Sequence, residues 1–553
     1  MDLNARYDVV VVGSGAGGAA AALRLVQQGA KVLMLEAGPR FDPVVDYPQS
    51  NWDWEKNLFP IKPGSQGTVQ YGDLGRLETE FADLQTWSRH RPSVLPVLGE
   101  PRRAEIDGYS HVQGVGGSTL HFVGEANRIH PNSFEANSPE TGANWPIKYD
   151  DLEPYYTHCE TMIGVACDEP TPDRWRSMPF PMKGHPVSPG GTTLMRAGEK
   201  LGSQWHLNPR AANSEAYDER PACNYCGQCS RGCPLGDKGS ADVTFLRKAN
   251  VTERLVIAEN TPVTKLKLGR DGRVSHIEVI YKGQKQEIET PILILAAGAV
   301  QTPRLLLLSS GTSQPNGVAN SSGQVGRNFM ETLWWSSAGL VPGLKNSHMG
   351  LPADVADWSR TAPGSVPGVS GGFKLTHTTL DTGLNGPIGF ATRMLGGFGA
   401  ELKRELREKF GSALAVSAVG QTIPDDRSFI ALSPDQLDQN GLPVPQINSV
   451  LTTNSHLLLR EMANSCREVL AAASAEVLEE SSCYSAFLST HVFGTARMGA
   501  DASNSVVDAT CRTHDHPNLW ICDASVFPST GGGEAPALTI MALATRAADH
   551  ALR

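Results

Sequence analysis

The sequence predicts an α/β protein that begins with a doubly wound, Rossmann-like dinucleotide-binding domain. The stretch YDVVVVGSGAGGAAAALRLVQQGAKVLMLE contains a buried strand, a glycine turn, an alanine-rich helix and a second strand. Farther along, alternating stretches such as VTKLKLG and RVSHIEVIYKG predict strands in a hairpin-rich region. ELKRELREKF (401–410) and SHLLLREMANSCREVLAAASA (455–475) predict amphipathic helices. A chain of 553 residues is long enough for several such units.

The glycine turn carries the G-x-G-x-x-G spacing, with Gly13, Gly15 and Gly18 directly after the first strand. Gly13 permits the turn, Gly15 lets the backbone approach a pyrophosphate, and Gly18 lets the helix pack closely on the strand. Glu36 ends the second strand, where a carboxylate can bond ribose hydroxyls. The flanking elements support a dinucleotide site, although the motif alone does not separate FAD from NAD.

The composition argues against several classes of partner. A net charge of −10 opposes binding to nucleic acid or to an anionic membrane surface. The longest apolar runs are too short to span a bilayer, so no transmembrane segment is predicted, and the first residues lack the pattern of a secretory signal. We expect a cytoplasmic protein, or one exported in folded form with a partner that carries the signal.

Three further stretches follow in a fixed order along the chain. They are GVGGSTLHFVGEANR (114–128), ILAAGAVQTPRLLLLSS (294–310), and the run from HVFGTARMG (491–499) to the C-terminus. Together they resemble the glucose–methanol–choline (GMC) family of FAD-dependent oxidoreductases, over nearly the whole chain. The resemblance implies an FAD-binding doubly wound domain interleaved with an α+β substrate domain built on an antiparallel sheet.

The same resemblance divides the chain into alternating parts of the two domains. The FAD-binding parts are expected at 1–160, 220–330 and 500–553, with a lid or loop insertion at about 46–100. The substrate-domain parts are expected at 161–219 and 331–499. No internal repeat or low-complexity linker interrupts this arrangement.

Oxidation of an alcohol by a flavin requires a base for the hydroxyl proton and transfer of hydride from carbon to flavin N5. Histidine is the natural base near neutral pH, and His491 matches the family's base. The second catalytic position, usually His or Asn in the family, is Ala535, whose side chain makes no hydrogen bonds. Three interpretations stay open: His491 acts alone at a lower rate, the neighbouring Glu534 takes part, or a polar residue was replaced and turnover was silenced.

The resemblance also implies further residues that contact FAD. They are Gly116, Gly117, Ser118, Val263 and Asp523. His121 matches a histidine that holds FAD covalently in some members of the family and lies near the flavin without a bond in others. Both arrangements stay open for this chain.

Four of the ten cysteines are crowded into ACNYCGQCSRGCP, residues 222–234. Cys223, Cys226, Cys229 and Cys233, followed by proline, have the spacing of a ferredoxin ligand run and predict a 3Fe–4S or 4Fe–4S cluster. Zinc sites usually separate their cysteine pairs by a longer loop. Other GMC members have a similar stretch followed by Gly and Lys with no known cluster, which favours buried thiols instead. The remaining cysteines are predicted to be small buried hydrophobes: Cys159, Cys167, Cys466, Cys483, Cys511 and Cys522.

The sequence therefore predicts an FAD-dependent dehydrogenase that oxidises a CH–OH group of a sugar, glycoside or polyol. Its electrons would pass to a cytochrome or quinone, with a small accessory subunit as a further expected partner. The alternatives are an oxidase that uses oxygen, such as a pyranose or glycoside oxidase, a lyase of the same fold, and a flavoprotein of low activity because of Ala535. The pairs Trp52/Trp54 and Trp334/Trp335 are either sugar-stacking surfaces or core residues.

Overall fold

The structure is a computed structural model that describes residues 3, 5–47, 69–91, 102–135 and 144–553, with the backbone alone for 105–107. The strands are β1 (Val9–Val12), β2 (Val32–Leu35), β3 (Gln70–Tyr71), β4 (Trp87–Ser88), β5 (Ala104–Tyr109), β6 (Trp205–Leu207), β7 (Leu255–Ala258), β8 (Val263–Leu268), β9 (Val274–Tyr281), β10 (Gln284–Glu289), β11 (Leu293–Leu295), β12 (Met330–Glu331), β13 (Leu333–Leu340), β14 (Val355–Asp357), β15 (Phe373–His377), β16 (Ala413–Gly420), β17 (Phe429–Leu437), β18 (Pro443–Asn448), β19 (Glu476–Ser482), β20 (Ala486–Ser489), β21 (Val492–Phe493) and β22 (Leu519–Ile521).

The α-helices are α1 (Ala16–Gln27), α2 (Pro43–Asp46), α3 (Asn132–Glu135), α4 (Tyr149–Ile163), α5 (Pro189–Leu201), α6 (Arg247–Val251), α7 (Gly298–Leu308), α8 (Pro387–Phe390), α9 (Gly399–Lys409), α10 (Thr453–Ala472) and α11 (Ala537–Ala551). Short 3₁₀ or π segments lie at Thr79–Leu84, Gly117–Leu120, Cys229–Arg231, Asp242–Leu246, Ala391–Leu395 and Ala524–Val526. None of the helices described combines the length and the apolar character needed to cross a bilayer.

Five parallel strands form the doubly wound sheet, in the order β22-β11-β1-β2-β7. β1, β2, β11 and β22 are wholly buried apolar runs, as expected of a parallel sheet covered on both faces. Helices α1 and α11 pack together against it, and both are rich in alanine, which allows close approach. Strands from the beginning, middle and end of the chain therefore lie side by side.

A second, antiparallel sheet has the strand order β4-β19-β13-β16-β15-β14-β6. Helix α10 covers it and buries one apolar face, including Leu458, Met462 and Cys466, in a core that also contains Trp335. The two edge strands come from the segments predicted as the 46–100 insertion and the 161–219 part. The predicted domain limits stay a prediction, while the predicted pairing of a doubly wound domain with an antiparallel one is confirmed.

Local predictions from the sequence agree with the structure. VTKLKLG and RVSHIEVIYKG form β8 and β9 of an antiparallel meander with β10, and the two amphipathic stretches form α9 and α10. The six scattered cysteines are buried and free, as predicted.

Candidate active site

The carboxyl ends of the five parallel strands meet at one edge of the doubly wound sheet, where such folds bind their ligands. Gly13 follows β1, Glu36 follows β2, and Asp523 follows β22 closely at this edge. The structure thus brings together three predicted cofactor residues that are far apart in the sequence.

The glycine turn is shaped to hold a pyrophosphate. Gly13 has φ +97°, and a Cβ atom there would lie 2.4 Å from the carbonyl oxygen of Ala296. A Cβ at Gly18 would lie 1.9 Å from the Gly13 oxygen, so packing requires both glycines. Around Gly15, in contrast, a Cβ would meet only the Gly117 Cα, at 3.7 Å. The packing of the protein would therefore accept a larger residue at position 15. The close approach of a phosphate to the start of α1 explains why a glycine is found there.

A second glycine loop packs directly against the first. Gly116 and Gly117 have φ +110° and +55°, and a Cβ at Gly117 would lie 2.6 Å from the Gly15 Cα. The Ser14 hydroxyl joins the two loops, because it accepts the Gly116 N–H at 3.1 Å and donates to Glu36 Oε2 at 2.6 Å. Ser118 Oγ accepts the Val112 N–H at 3.2 Å and fixes the base of this loop.

Two buried carboxylates lie at this edge. Glu36 also accepts the N–H groups of Ser14 and Gly38, at 3.1 and 3.0 Å, while burial raises its pKa. Asp523 accepts the Gly298 N–H at 2.9 Å and the Thr302 hydroxyl at 2.6 Å, and burial raises its pKa as well. These residues and the glycine cradle fit FAD.

Val263, another predicted cofactor residue, is the first residue of β8. It lies two residues after Thr261, whose N–H donates to the Glu36 carbonyl at 2.8 Å.

The cysteine-rich loop is fastened to the segment that carries His121. The His121 Nδ1 donates to the Ser230 carbonyl at 2.9 Å. Lys238 is buried, and its ammonium donates to the carbonyl oxygens of Leu120, Phe122 and Cys229 at 2.9, 2.9 and 2.7 Å. The loop therefore lies beside the predicted flavin contacts. A covalent bond from His121 to the flavin stays a prediction.

The thiols of this loop are not gathered into a ligand set. Cys233 donates to Asp237 Oδ1 at 3.0 Å, and burial raises the pKa of Cys229 to about 11 and that of Cys233 to about 12. In the part of the chain that the structure describes, no three His, Cys, Asp or Glu side chains are placed to hold a metal ion. As arranged here, Cys223, Cys226, Cys229 and Cys233 do not fit a cluster. We assign no electron-transfer step to them.

His491, the predicted base, lies between β20 and β21. Its carbonyl accepts the Thr332 N–H at 3.1 Å and the Ser489 hydroxyl at 2.9 Å, which fixes the backbone. Burial lowers the pKa of the imidazole to about 4, Glu125 acts to raise this pKa, and Lys374 acts to lower it. The ring is consequently neutral at pH 7 and able to accept a proton.

The loop that contains Ala535 is pressed against the antiparallel sheet. A Cβ at Gly532 would lie 2.0 Å from the Thr361 oxygen, and one at Gly533 would lie 1.9 Å from the Val419 oxygen. Ala535 is buried, and its N–H donates to Asn127 Oδ1 at 3.2 Å. The loop thus joins the two sheets where the second catalytic residue is expected.

Glu534 is held by a buried arginine. Its Oε1 accepts from the Arg174 guanidinium and from the His130 N–H, the latter at 3.1 Å. Arg174 also lies over the Trp358 ring, 4.9 Å from its centroid. The ion pair engages Oε1 only, and the buried Oε2 has no hydrogen-bond partner among the described residues. A catalytic part for Glu534 therefore stays a prediction.

The sequence interpretation did not identify a buried ion pair beside His491. Lys374, on β15, is 2% exposed at its side chain, and its ammonium binds the Glu125 carboxylate and Asn127 Oδ1, the latter at 2.9 Å. Asn127 Nδ2 donates to Asn208 Oδ1 at 2.9 Å. Two features of the sequence indicate this ion pair: a lysine inside the strand GGFKLTH, and the alternating polar residues of GEANR.

The tryptophan pairs contribute little to this site. Trp335 is fully buried and donates to Ser337 Oγ at 2.8 Å, so it is a core residue. Trp334 donates to the Leu488 carbonyl at 3.1 Å. Trp52 and Trp54 lie outside the described residues.

Comparison with known proteins agrees with this geometry. Models of the GMC oxidoreductase match residues 100–333 and 424–544, and a model of an FAD-binding domain matches residues 8–45. A solved structure, pyridoxine 4-oxidase from Mesorbium loti, has a TM-score of 0.64 at 20% identity, with 99% of each chain covered, and shows the shared fold.

Three curated relatives align along almost their whole length. The fructose dehydrogenase large subunit of Gluconobacter japonicus is 29% identical over 99% of this chain and 97% of its own. The 2-methyl-1,2-propanediol dehydrogenase of Mycolicibacterium austroafricanum is 28% identical over 99% and 95%. The 6'''-hydroxyparomomycin C oxidase of Streptomyces lividus is 30% identical over 98% and 90%. The chain belongs to the GMC oxidoreductase family and is an FAD-dependent oxidoreductase of CH–OH groups.

Proposed function

We propose that this protein is a dehydrogenase that oxidises a CH–OH group of a sugar, glycoside or polyol, with His491 as the general base. The observation that carries the proposal is the half-buried, neutral imidazole of His491, in a fold that also contains a glycine cradle that fits FAD. The substrate class is supported by relatives named for fructose, a branched diol and an aminoglycoside, each aligned over nearly the whole chain.

The residues divide the work as follows. The turn at Gly13–Gly18 and the loop at Gly116–Ser118 would hold the pyrophosphate, Glu36 would bond the ribose, and Asp523 would fix the neighbouring turn at Gly298. His491 takes the proton of the substrate hydroxyl, and its low pKa keeps the lone pair available. Bound flavin supplies the hydride acceptor, at N5. The remaining steps concern how the protein orients the alcohol and excludes water.

For the electron acceptor, we propose a quinone or a cytochrome and not a nicotinamide. The support is indirect: one relative is named as a large subunit and another, gluconate 2-dehydrogenase of Pantoea cypripedii, as a flavoprotein. Such names fit a flavin chain that works with an accessory subunit. A location in the cytoplasm, or export in folded form with that subunit, stays a prediction.

The test is anaerobic mixing of the FAD-loaded protein with D-fructose, D-gluconate, 2-methyl-1,2-propanediol and paromamine. We expect at least one of them to bleach the flavin absorbance, and a soluble quinone to restore it. If none of these alcohols bleaches the flavin, the proposal is wrong. The lyase and the non-catalytic flavoprotein would then take its place.

Oxidase activity is a second candidate, because two curated relatives are named as oxidases of aminoglycosides. Air and the quinone are therefore compared as acceptors for the same reduced protein. Peroxide formed at the rate of flavin reoxidation would identify the oxidase. Slow reoxidation in air and fast reoxidation by quinone would identify the dehydrogenase.

The cysteine-rich loop requires a separate measurement. Iron and acid-labile sulfide are quantified in protein purified without oxygen, and also in a variant with Cys223→Ser. The arrangement of the thiols predicts little iron in either protein. Three or four irons per chain, lost in the variant, would restore the prediction of a 3Fe–4S or 4Fe–4S cluster.

A further inference from the structure

Lys374 is a buried cation next to the loop that contains Ala535, the position at which the family usually has its second catalytic side chain. Its ammonium and the backbone N–H of Ala535 donate to the same atom, Asn127 Oδ1, at 2.9 and 3.2 Å. The backbone N of Lys374 also lies 3.3 Å from where a Cβ on Gly533 would stand. Lys374 therefore lies against the loop that places Ala535.

The same cation acts on the predicted base. The charged groups that shift the His491 imidazole are Glu125 and Lys374, which act in opposite directions. Burial keeps the ring neutral, while the two charges oppose each other, and the Lys374 ammonium is a strong hydrogen-bond donor in the same cluster. His491, Lys374 and Ala535 thus belong to one cluster although they lie on three separate parts of the fold.

Stability alone is a poor reason for this ion pair. The Lys374 and Glu125 side chains are 2% and 13% exposed, so both lose most of their hydration. Buried pairs of this kind are often no more stabilising than apolar residues of similar volume. An ammonium has three N–H donors, and among the described residues two of them are engaged in hydrogen bonds, by Glu125 and Asn127. The ammonium also lies 5.3 Å from the centroid of the Trp358 ring, which accepts no conventional hydrogen bond.

We propose that the third N–H of Lys374 donates to the oxygen of the alcohol undergoing oxidation, and so replaces the donor that Ala535 lacks. Glu125 pairs with the ammonium, and Asn127 aims it. The inference rests on the proposed function, because it assigns a catalytic residue to the same reaction.

The hydroxyl proton passes to His491, the C–H bond breaks with its electron pair leaving as hydride, for which bound flavin would be the acceptor, and the C–O bond becomes a carbonyl. Negative charge develops on the oxygen, because the proton leaves before the carbonyl double bond is complete. A fixed, buried ammonium stabilises that charge without itself losing a proton.

The experiment compares three variants of the FAD-loaded protein by stopped-flow reduction with the panel alcohol that bleaches the wild-type flavin fastest. Lys374→Met combined with Glu125→Gln removes the donor but leaves no unpaired charge. We expect reduction to slow by about 100-fold or more, as when one donor to a developing oxyanion is deleted. Adding Ala535→Asn to this double variant places an amide at the position of the family's second catalytic residue. This addition should raise the rate at least tenfold above that of the double variant.

A matched control removes a lysine from an exposed pair. Lys409 binds Glu405 at 2.9 Å on α9, and Lys409→Met with Glu405→Gln should leave the rate within twofold of wild type. FAD content and thermal midpoint are measured for every variant. If the buried double variant loses FAD, Lys374→Gln with Glu125→Gln replaces it. The amide pair keeps a hydrogen-bond donor but loses the charge, so a slowing of at least tenfold is expected, smaller than that of the methionine variant, and a wild-type rate would overturn the inference.

A second readout does not depend on turnover. In the FAD-loaded protein, NMR titration of the His491 ring should show a higher pKa in Lys374→Met and a lower one in Glu125→Gln, because each removes one opposing charge. Unchanged titration in both variants would overturn the inference, as would a neutral double variant that is folded and reduces at the wild-type rate. Failure of the proposed function looks different: no alcohol reduces the wild-type flavin, while both titration shifts persist.

Discussion

Gly15→Ala should separate flavin binding from folding. In this structure the added methyl would meet only the Gly117 Cα, at 3.7 Å, which is ordinary van der Waals contact. Gly15 has φ −70° and ψ −162°, an extended conformation that alanine adopts without strain. The apoprotein should therefore keep its thermal midpoint within about 1–2 °C, since a change without strain or clash costs little.

The substitution should instead weaken the binding of FAD. The methyl would occupy the space through which a pyrophosphate approaches the first N–H groups of α1. Loss of one such contact to a charged ligand is worth about 1.5–3 kcal/mol. An increase in Kd for FAD of roughly 10- to 100-fold is expected, since about 1.4 kcal/mol corresponds to a factor of ten.

Gly18→Ala is the matched comparison. Its Cβ would lie 1.9 Å from the backbone oxygen of Gly13, so this variant should destabilise the apoprotein itself. The assay is quenching of FAD fluorescence on titration of apoprotein, with unfolding of each apoprotein followed by circular dichroism. If acid precipitation shows a covalent flavin, all variants are made with His121→Ala.

Two results would refute this reasoning. Gly15→Ala that binds FAD as tightly as the wild type would mean that the pyrophosphate does not approach this turn. Gly15→Ala that unfolds while Gly18→Ala remains stable would mean that the packing around the two glycines differs from that described.

The remaining predictions concern the base, its titration, the buried ion pair and the thiols. His491→Gln should keep its FAD but reduce the rate of flavin reduction by roughly 10²- to 10⁴-fold, the range for a lost general base; a smaller effect in stopped-flow reduction would place the base elsewhere. Because the imidazole must be neutral to act and its pKa is about 4, the rate of flavin reduction should stay level from pH 8 to about pH 5 and fall below pH 5; a midpoint near pH 6.5 would contradict this. Protein stability should also fall as the pH drops from 6.5 to 4, because in that range the unfolded chain binds a proton that the folded chain does not. Arg174→Met leaves the Glu534 carboxylate buried without its partner and should cost about 3–5 kcal/mol, seen as a lower thermal midpoint that Glu534→Gln partly restores; equal midpoints would show that the pair is not buried as described. Cys229 should react with iodoacetamide only at strongly alkaline pH, since its pKa is about 11, and rapid labelling at pH 7 would contradict the burial.

The sequence predicts best those site residues that belong to one local backbone motif. The glycines at 13, 15 and 18 sit in a local strand–turn–helix unit, so spacing alone locates them, and Glu36 follows from the next strand. His491 was predicted through its motif. The structure adds what fixes its state, namely burial and two charged neighbours from distant strands.

Lys374 and Glu125 could not be predicted in the same way. They are 249 residues apart, and they meet only because β15 lies beside the segment after the second glycine loop. No local pattern encodes that contact. The fate of Glu534 was similarly hidden, because its partner Arg174 belongs to a separate part of the chain whose position depends on the whole fold.

The strand order of the parallel sheet also governs when the protein can take up its flavin. β1 and β2 are made at the start of synthesis, but β11, the neighbour of β1, ends at residue 295, and the edge strand β22 ends at residue 521. Asp523, one of the buried carboxylates at the binding edge, follows only then. The nucleotide pocket is therefore incomplete until residue 523 has left the ribosome. Complete flavin binding consequently requires that β22 has joined β11 and that β11 has joined β1.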